Sequence, residues 1–232
     1  MEPADPAMRA GTQVRRLPEK QRTDRAALDA VLDAGSVAHL AIVDDGQPLA
    51  IPMAYVRDGD VLLLHGSTAS RLLRTLAAGT PTCATVTLLD GLVVARSAFE
   101  SSMHYRSAMV LGRCEPVDDV EAALRRLTDG LLPGRSAEVR PSTRKEVAAT
   151  LVLRLPIERW SVKVSDDDPE DPPADVAGDA WAGVVPLRTV VGAPRPAADL
   201  REGIAVPPSV RALTQDPDRG GATGRRGRSV PD

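Results

Sequence analysis

Hydrophobic positions along the chain follow two different periods. Helical spacing occurs in residues 24–34, 68–78 and 118–132, each of which starts at or after a polar residue and stops before a glycine or proline. Short runs with strand-like alternation or continuous apolar character fill the remaining central part of the chain. They cover residues 37–43, 48–56, 61–64, 81–88, 92–95, 105–117, 150–155 and 159–164. The pattern therefore predicts three helices and about eight strands.

The connections between these strands predict an antiparallel arrangement. Tight turns built from Asp and Gly, such as Asp44-Asp45-Gly46 and Asp90-Gly91, join neighbouring strands. Only the helix predicted over residues 68–78 is placed to make the long crossover that parallel strands require. The fold class we predict is mainly β, of α+β type, with an antiparallel sheet or barrel and peripheral helices.

Composition and charge restrict the classes of function. The chain has 232 residues, a formal net charge of -3, 2% aromatic residues and two cysteines, Cys83 and Cys114. The charge does not attract nucleic acid or membranes, few aromatic rings are present to stack on bases, and no apolar run could span a bilayer. The cysteines have neither disulfide nor zinc-site spacing. We therefore expect a cytoplasmic protein without a metal site, whose partners are neither nucleic acid nor membranes.

The two ends of the chain lack hydrophobic periodicity. Residues 1–20 are rich in Pro, Arg and Ala, and residues 191–232 are rich in Pro, Gly and Arg. Segments of this composition bury too little apolar surface to offset the entropy lost on ordering. We predict a mobile arm over residues 1–20, one folded domain over residues 21–190 and a disordered tail over residues 191–232.

The junction after the third predicted strand has the most informative polar residues. His65 and Gly66 end the strand, Ser67 is placed to cap the next helix, and Ser70 and Arg71 lie in its first turn. A helix N-terminus presents unpaired N–H groups and a partial positive charge, so it binds anions such as phosphate. Arg71 opposes the helix dipole there by up to about 1 kcal/mol, which a bound anion would offset. The alternative is ordinary serine capping without a ligand.

Several blocks of residues, in a fixed order, resemble a known family. They are residues 51–59 (IPMAYVRDG), 64–71 (LHGSTASR), 90–99 (DGLVVARSAF), 102–107 (SMHYRS), 161–164 (SVKV) and 181–187 (WAGVVPL). Over residues 24–188 the chain is thereby similar to the flavin-nucleotide-binding branch of the pyridoxamine 5′-phosphate oxidase-like superfamily, which includes relatives of nitroimidazole reductases. The resemblance implies an FMN-binding split β-barrel of antiparallel Greek-key type that forms a homodimer.

The resemblance also implies which residues contact the cofactor. It places the FMN phosphate at the same junction that the residues alone indicate, with Gly66, Ser67, Ser70 and Arg71. The remaining contacts are expected from backbone groups that line the isoalloxazine, and from a later strand of the same or the partner subunit. The residues concerned are Pro52, Met53, Ala54, Tyr55, Tyr105, Arg106 and Ser107.

His65 is the candidate catalytic residue. An imidazole at this strand end could contact the phosphate or pass a proton near the flavin N5. Its alternative role is structural, with the ring hydrogen-bonded to a backbone carbonyl.

Together these observations predict an FMN-dependent oxidoreductase that reduces a small oxidised molecule, in the manner of nitroimidazole reductases. In such an enzyme the cofactor supplies the redox chemistry and the protein positions it. Two alternatives stay open. One is a flavin-binding or sensing protein without turnover, and the other is a barrel that uses deazaflavin or haem instead of FMN.

Overall fold

Ten strands, all paired antiparallel, form the sheet in the computed structural model, which describes residues 11–215. The strands are β1 (Gln21–Arg22), β2 (Val37–Asp44), β3 (Gln47–Asp58), β4 (Val61–Ser67), β5 (Pro81–Val94), β6 (Ser102–Arg113), β7 (Glu115–Pro116), β8 (Thr150–Pro156), β9 (Arg159–Ser165) and β10 (Gly183–Pro186). Their order is β1-β9-β6-β5-β2-β3-β4-β8-β7, and β10 pairs with β5. The end strands of this order do not pair with each other, so the sheet is open, consistent with a split barrel. The predicted fold class, mainly β and antiparallel with peripheral helices, is confirmed.

One predicted turn is absent. The sequence prediction broke residues 81–95 into two strands at Asp90-Gly91, whereas β5 runs through this point with a register shift between Leu89 and Gly91. The third strand that pairs here explains the difference, because β10 pairs with β5 at Gly91. A Cβ on Gly91 would lie 3.0 Å from the carbonyl oxygen of Val185. The glycine therefore permits a close backbone approach instead of a turn.

Within residues 11–215, six α-helices lie around the sheet. They are α1 (Arg25–Ala34), α2 (Arg71–Ala77), α3 (Val120–Leu131), α4 (Arg144–Ala148), α5 (Pro173–Val176) and α6 (Pro208–Gln215), with short 3₁₀ turns at Pro18–Lys20 and Arg135–Ala137. Side chains of Asp24, Ser70, Asp119 and Thr143 cap the first four of these helices. The N-cap of α2 is therefore Ser70, three residues later than the predicted cap, Ser67. None of the helices within residues 11–215 is long and apolar enough to cross a membrane.

The hydrophobic core has two parts, one on each face of β4. The main cluster joins the sheet to α1 and α2 and includes Leu32, Leu64 and Leu73. A smaller cluster joins the other face of β4 to α3 through Leu63, Ala123, Leu127 and Val152. Because successive residues of a strand point to opposite faces, even-numbered residues of β4 face the main core and odd-numbered ones face the α3 side.

The described parts of the two predicted flexible ends contact the domain. Gln21 bonds the main chain of Thr12 and Val14, each at 3.0 Å. Helix α6 lies within the predicted tail. Its Ser209 N–H donates a hydrogen bond of 2.9 Å to the Glu138 carboxylate, so a side chain distant in the sequence caps this helix. Residues 1–10 and 216–232, the rest of the predicted arm and tail, lie outside the described residues, and the limits of arm, domain and tail stay predictions.

Candidate functional site

The sheet opens into a fork between β3 and β4. These strands pair only from Asp58↔Val61 to Tyr55↔Leu64. Beyond that point residues 47–54 of β3 stay paired with β2, while residues 65–67 of β4 stay paired with β8. His65 is the first residue of β4 past the fork. The gap between the two strands is bordered by the predicted residues of both, with Ser67 at the end of β4.

The β3 side of this gap is a free strand edge. Tyr55 N donates to Ser36 O at 3.2 Å, which directs the backbone of Tyr55 toward β2. In an antiparallel ladder alternate residues direct their backbone groups to opposite neighbours, so those of Ala54 and Pro52 point into the gap. Proline has no N–H, so the edge offers a carbonyl without a donor at Pro52 and an N–H at Ala54. These groups match the prediction of backbone contacts along this strand.

Two side chains of the predicted β3 segment belong to the core instead. Tyr55 is 1% exposed, and its hydroxyl donates to Leu32 O at 2.6 Å. Burial raises the pKa of Tyr55 well above its usual value. Met53 packs against the same core. Neither side chain lines the gap, because odd-numbered residues of β3 face the interior. The backbone N–H of Tyr55 bonds Ser36 and so points away from the gap. The predicted contact of Tyr55 with a cofactor is therefore not supported.

Ser67, at the end of β4, and Ser70, at the start of α2, each accept a backbone hydrogen bond and still have a hydroxyl hydrogen to donate. Ser67 Oγ accepts from Ala69 N at 3.1 Å, and Ser70 Oγ accepts from Leu73 N at 3.4 Å as the N-cap of α2. Each hydroxyl that accepts locally still has its own O–H to donate. The N–H groups of Arg71 and Leu72 precede the first intrahelical bond, which runs from Arg74 N to Ser70 O. Four donors therefore face an anion that approaches this corner.

Arg71 is already paired with protein carboxylates. Its guanidinium bonds the Asp44 carboxylate at the end of β2, and the Asp45 carboxylate lies 3.9 Å away. A cation in the first turn of a helix predicts a nearby anion. In the structure that anion is the Asp44 carboxylate of the protein itself. Arg71 remains 69% exposed, so it can exchange this partner for a ligand.

Gly66 allows the junction to pack closely. A Cβ at this position would lie 2.7 Å from Leu73 Cδ1, a core side chain of α2. The strand end and the first turn of α2 thus approach each other more closely than a side chain would permit. Gly66 contributes to the site through this spacing.

His65 lies at the fork with an unsatisfied ring nitrogen. Its Nδ1 is buried and has no hydrogen-bond partner among the described residues. His65 is opposite Val152 of β8, so the ring shares the α3 side of the sheet with Leu63 and Val152. Burial lowers the pKa of His65, which favours the neutral imidazole. The structural alternative, a bond from this nitrogen to a backbone carbonyl, is not seen.

The three predicted residues of β6 do not reach this gap within one chain. Tyr105, Arg106 and Ser107 lie on β6, which β5 and β2 separate from β3. Arg106 bonds both carboxylate oxygens of Asp90, at 2.8 and 2.7 Å, and this pairing raises the pKa of Arg106. A contact of these residues with the same site therefore requires a second subunit, which was one of the two predicted possibilities.

Sequence reasoning missed Asp44 and Asp90 as partners of the two site arginines. Both lie in Asp-Gly segments that predict turns, and no local signal shows that they face Arg71 and Arg106. It also missed a second cleft of about 660 Å³ between β3, the end of α3 and the C-terminal segment, lined in part by Arg57, Asp129 and Leu213. Arg57 is paired with Asp33 at 2.7 and 2.6 Å, so its charge is already neutralised.

The gap has the chemistry that a flavin nucleotide requires. A flat strand edge with both carbonyl and N–H groups can bond the polar edge of an isoalloxazine, and the corner around Ser67, Ser70 and Arg71 can bond a phosphate. His65, whose buried Nδ1 has no partner among the described residues, is on β4 two residues before Ser67. No group of His, Cys, Asp or Glu suited to a metal ion on its own occurs in the part of the chain that the structure describes.

Comparisons with known proteins find one family model and several similar solved structures. The family model described as pyridoxamine 5′-phosphate oxidase matches residues 24–164. The FAD- and haem-binding protein from Mycobacterium smegmatis is 51% identical, with 84% of this chain and 97% of that chain covered and a TM-score of 0.83. The flavocytochrome Anf3 from Azotobacter vinelandii is 38% identical, with 87% and 95% covered and a TM-score of 0.82.

A more distant structure shares the fold alone. A proposed 5-nitroimidazole antibiotic resistance protein from Bacteroides thetaiotaomicron is 22% identical, with 62% of this chain and 86% of that chain covered and a TM-score of 0.52. No curated protein matches the sequence.

Proposed function

This chain belongs to the pyridoxamine 5′-phosphate oxidase family, and from that premise we propose that it is a redox protein that binds a flavin at the fork and a haem through His65. Two observations support the proposal together. The fork combines a free strand edge with an anion-binding corner, and proteins 51% and 38% identical over most of the chain are an FAD- and haem-binding protein and a flavocytochrome. The acceptor that we propose is a small oxidised molecule.

For the flavin, the residues of the fork divide the binding. The carbonyl of Pro52 and the N–H of Ala54 would bond the ring edge, and Ser67, Ser70 and Arg71 would bond the phosphate. Flavin supplies hydride and single-electron transfer when bound. The chain itself would fix the ring against β3 and neutralise the phosphate with Arg71. That last contact requires Arg71 to leave Asp44.

The flavin that we propose is FAD. The resemblance in the sequence implied FMN, but the relative at 51% identity binds FAD together with haem. Both nucleotides place a phosphate beyond the ribityl chain, so the same corner would serve either. High-performance chromatography of the flavin released by denaturation distinguishes FAD from FMN directly.

For the haem, His65 is the residue that would bind the iron. Neutral imidazole is the form that binds iron, and burial favours it at neutral pH. The ring nitrogen without a partner satisfies a further requirement, because a ligand atom must be free. His39, in contrast, is exposed on the outer face of β2, and His104 Nε2 lies 2.8 Å from Asp167 O. His65 would then hold the iron, which replaces the proton-transfer role predicted for it.

We also propose that the protein is a homodimer. The outer face of β2 and β5 exposes the apolar side chains of Val37, Val43 and Leu89, which a second copy would cover. Tyr105 and Ser107 belong to the same outer face of the sheet, as cross-strand neighbours of Leu89 and Thr87. A second copy packed on this face would bring them toward the partner's fork.

The proposal is tested by the absorption spectrum of the purified protein. We expect both a flavin spectrum that dithionite bleaches and a Soret band. The variant His65→Ala should lose the Soret band and keep the flavin, while the matched control His104→Ala should keep both. A Soret band unchanged in His65→Ala would refute the ligand assignment, and absence of flavin from protein supplied with FAD would refute the function.

Turnover separates an enzyme from a binding protein. The flavin of the photoreduced protein should be reoxidised by added nitroaromatics or quinones faster than free flavin under the same conditions. Arg71→Ala should weaken flavin binding by about 1.5–3 kcal/mol, the usual contribution of a charge-assisted hydrogen bond. Equal flavin affinity in this variant and the wild type would show that the phosphate does not bind at this corner.

A further inference from the structure

The C-terminal segment, residues 187–215, is attached to the domain by hydrogen bonds at two points. Leu187 N donates to Asp90 O at 2.9 Å, where the segment leaves β10. Within residues 11–215, its next hydrogen bonds to the rest of the domain are those of Ser209, which is 5% exposed. Ser209 N donates to one oxygen of the Glu138 carboxylate at 2.9 Å, and Ser209 Oγ donates to the other. The segment is thus a strap with a fixed start and one polar latch near its end.

A second clamp of the same type holds the turn that carries Glu138. Asp129, near the end of α3, accepts from Ser136 N at 2.9 Å and from Ser136 Oγ. Ser136 belongs to the 3₁₀ turn that Glu138 follows, and Arg135 of that turn lies 3.4 Å from the Glu138 carboxylate. Hydrogen bonds from the serines lower the pKa of both carboxylates, so both are ionised at neutral pH. Two carboxylate–serine clamps in series therefore connect α3 to α6.

The strap forms one side of the cleft of about 660 Å³ described above. Thr189, Val191 and Leu213 of the strap line this cleft together with Gly130 and Leu131 at the end of α3. Its volume is typical of small-molecule sites, which measure about 300–1,000 Å³. Leu213 lies on α6, the helix that the latch fixes, so release of the latch would free this wall of the cleft.

The charges in the cleft disfavour anions. Three charged side chains line it, those of Asp33, Arg57 and Asp129. Arg57 bonds both oxygens of the Asp33 carboxylate, whereas Asp129 accepts from the neutral donors of Ser136. With one positive and two negative groups, the described lining is net negative, and its cation is already paired. An anion that leaves water for this cleft therefore finds no free positive group in the described lining.

We propose that residues 187–215 are a lid over this cleft, that Glu138 is the latch of the lid, and that the cleft binds a partly apolar small molecule without negative charge. Such a ligand would contact both α3 and the lid. Its binding would hold the lid closed, and by reciprocity a closed lid would retain the ligand. The inference goes beyond the proposed flavin site and does not depend on it, because the phosphates of a flavin nucleotide are disfavoured here.

Hydrogen exchange of α6 tests the latch. Peptides that cover residues 208–215 are followed by mass spectrometry in the full-length wild type, Glu138→Ala, Ser209→Ala and the control Glu121→Ala. The control removes the same side chain from α3, where Glu121 is half exposed and pairs with Arg125. We expect α6 to exchange about tenfold or more faster in Glu138→Ala, at an intermediate rate in Ser209→Ala, and at the wild-type rate in the control. Unchanged exchange of β4 shows that each variant remains folded.

A neutral dye tests the cleft in the same proteins. Nile red carries no charge and fluoresces in apolar surroundings, and the anionic dye anilinonaphthalene sulfonate is the comparison. We expect Nile red to slow the exchange of α6 in the wild type and to dissociate about tenfold or more faster from Glu138→Ala. The anionic dye should not slow the exchange of α6.

Three results would overturn the inference. They are equal exchange of α6 in wild type and Glu138→Ala, exchange of α6 that Nile red leaves unchanged, and protection of α6 by the anionic dye as strong as that by Nile red. Should Glu138→Ala not fold, Ser209→Ala removes the hydroxyl from the other side of the latch and gives the same comparison. Failure of flavin to bind at the fork would leave all of these results as they are, so the two proposals stand or fall separately.

Discussion

Replacing Tyr55 by Phe tests whether this side chain supports the fold or the cofactor. The sequence prediction placed Tyr55 at the cofactor, and the structure places its hydroxyl on Leu32 O at 2.6 Å inside the core. Leu32 lies near the end of α1, where carbonyls lack intrahelical partners. The variant Tyr55→Phe keeps the ring and removes only this hydroxyl. The change therefore isolates one buried hydrogen bond.

The expected loss of stability follows from that bond. Removing the donor leaves the buried carbonyl of Leu32 without its partner, which costs about 1–3 kcal/mol. The ring of Phe fills the same space, so no cavity adds to this cost. For a domain of this size each kcal/mol lowers the Tm by about 2–4 °C. Flavin affinity should stay unchanged, because neither the hydroxyl nor the ring faces the fork.

Urea unfolding and flavin titration of the same samples give the two readouts. The chain has only one other tyrosine, Tyr105, and this residue provides a matched control. Tyr105→Phe removes a hydroxyl from a half-buried position on β6 and should change stability by less than about 0.5 kcal/mol. A Tyr55→Phe protein as stable as wild type, or one with weakened flavin binding and normal stability, would refute this account of Tyr55.

Two further predictions concern packing and pH. Gly130→Ala in α3 should destabilise the protein, although alanine favours a helix by about 1 kcal/mol, because the new Cβ would overlap the methyl groups of Val56. In a Val56→Ala background the same change should cost much less, because only the Cβ of residue 56 then remains close, at 3.1 Å. Urea unfolding that shows the same cost in both backgrounds would contradict the packing of α3 on β3. Burial, with a smaller effect of Glu115, raises the pKa of Cys114 from 9.0 to about 12. Unfolding then releases a proton above pH 9, so stability should be lost as the pH rises from 9 toward 12. The urea midpoint should fall more between pH 8 and 10 in wild type than in Cys114→Ala, and equal falls would show that this thiol is not buried.

Local patterns in the sequence were sufficient for most of the central strands and helices and for the residue types at the corner of the site. The alternation of β2 and the continuous apolar run of β4 depend only on residues next to each other, and so does the cap of α1 at Asp24. The Gly66 to Arg71 segment combines a strand end, hydroxyls and a cation within six residues, so its anion-binding chemistry can be read without a fold. The order of six such blocks was enough to indicate the family.

Tertiary structure alone decided which of these residues meet. The fork exists because β3 pairs with β4 over four residues and then stays with β2, while the end of β4 stays with β8, which is distant along the chain. The same pairing directs the Tyr55 side chain into the core. Arg71 contacts Asp44 only because the β2–β3 hairpin has formed. Helix α6 likewise depends on Glu138, about seventy residues earlier. Periodicity specifies the face of each residue on its own element, whereas the partner across a gap depends on how elements pack, and no local pattern contains that information.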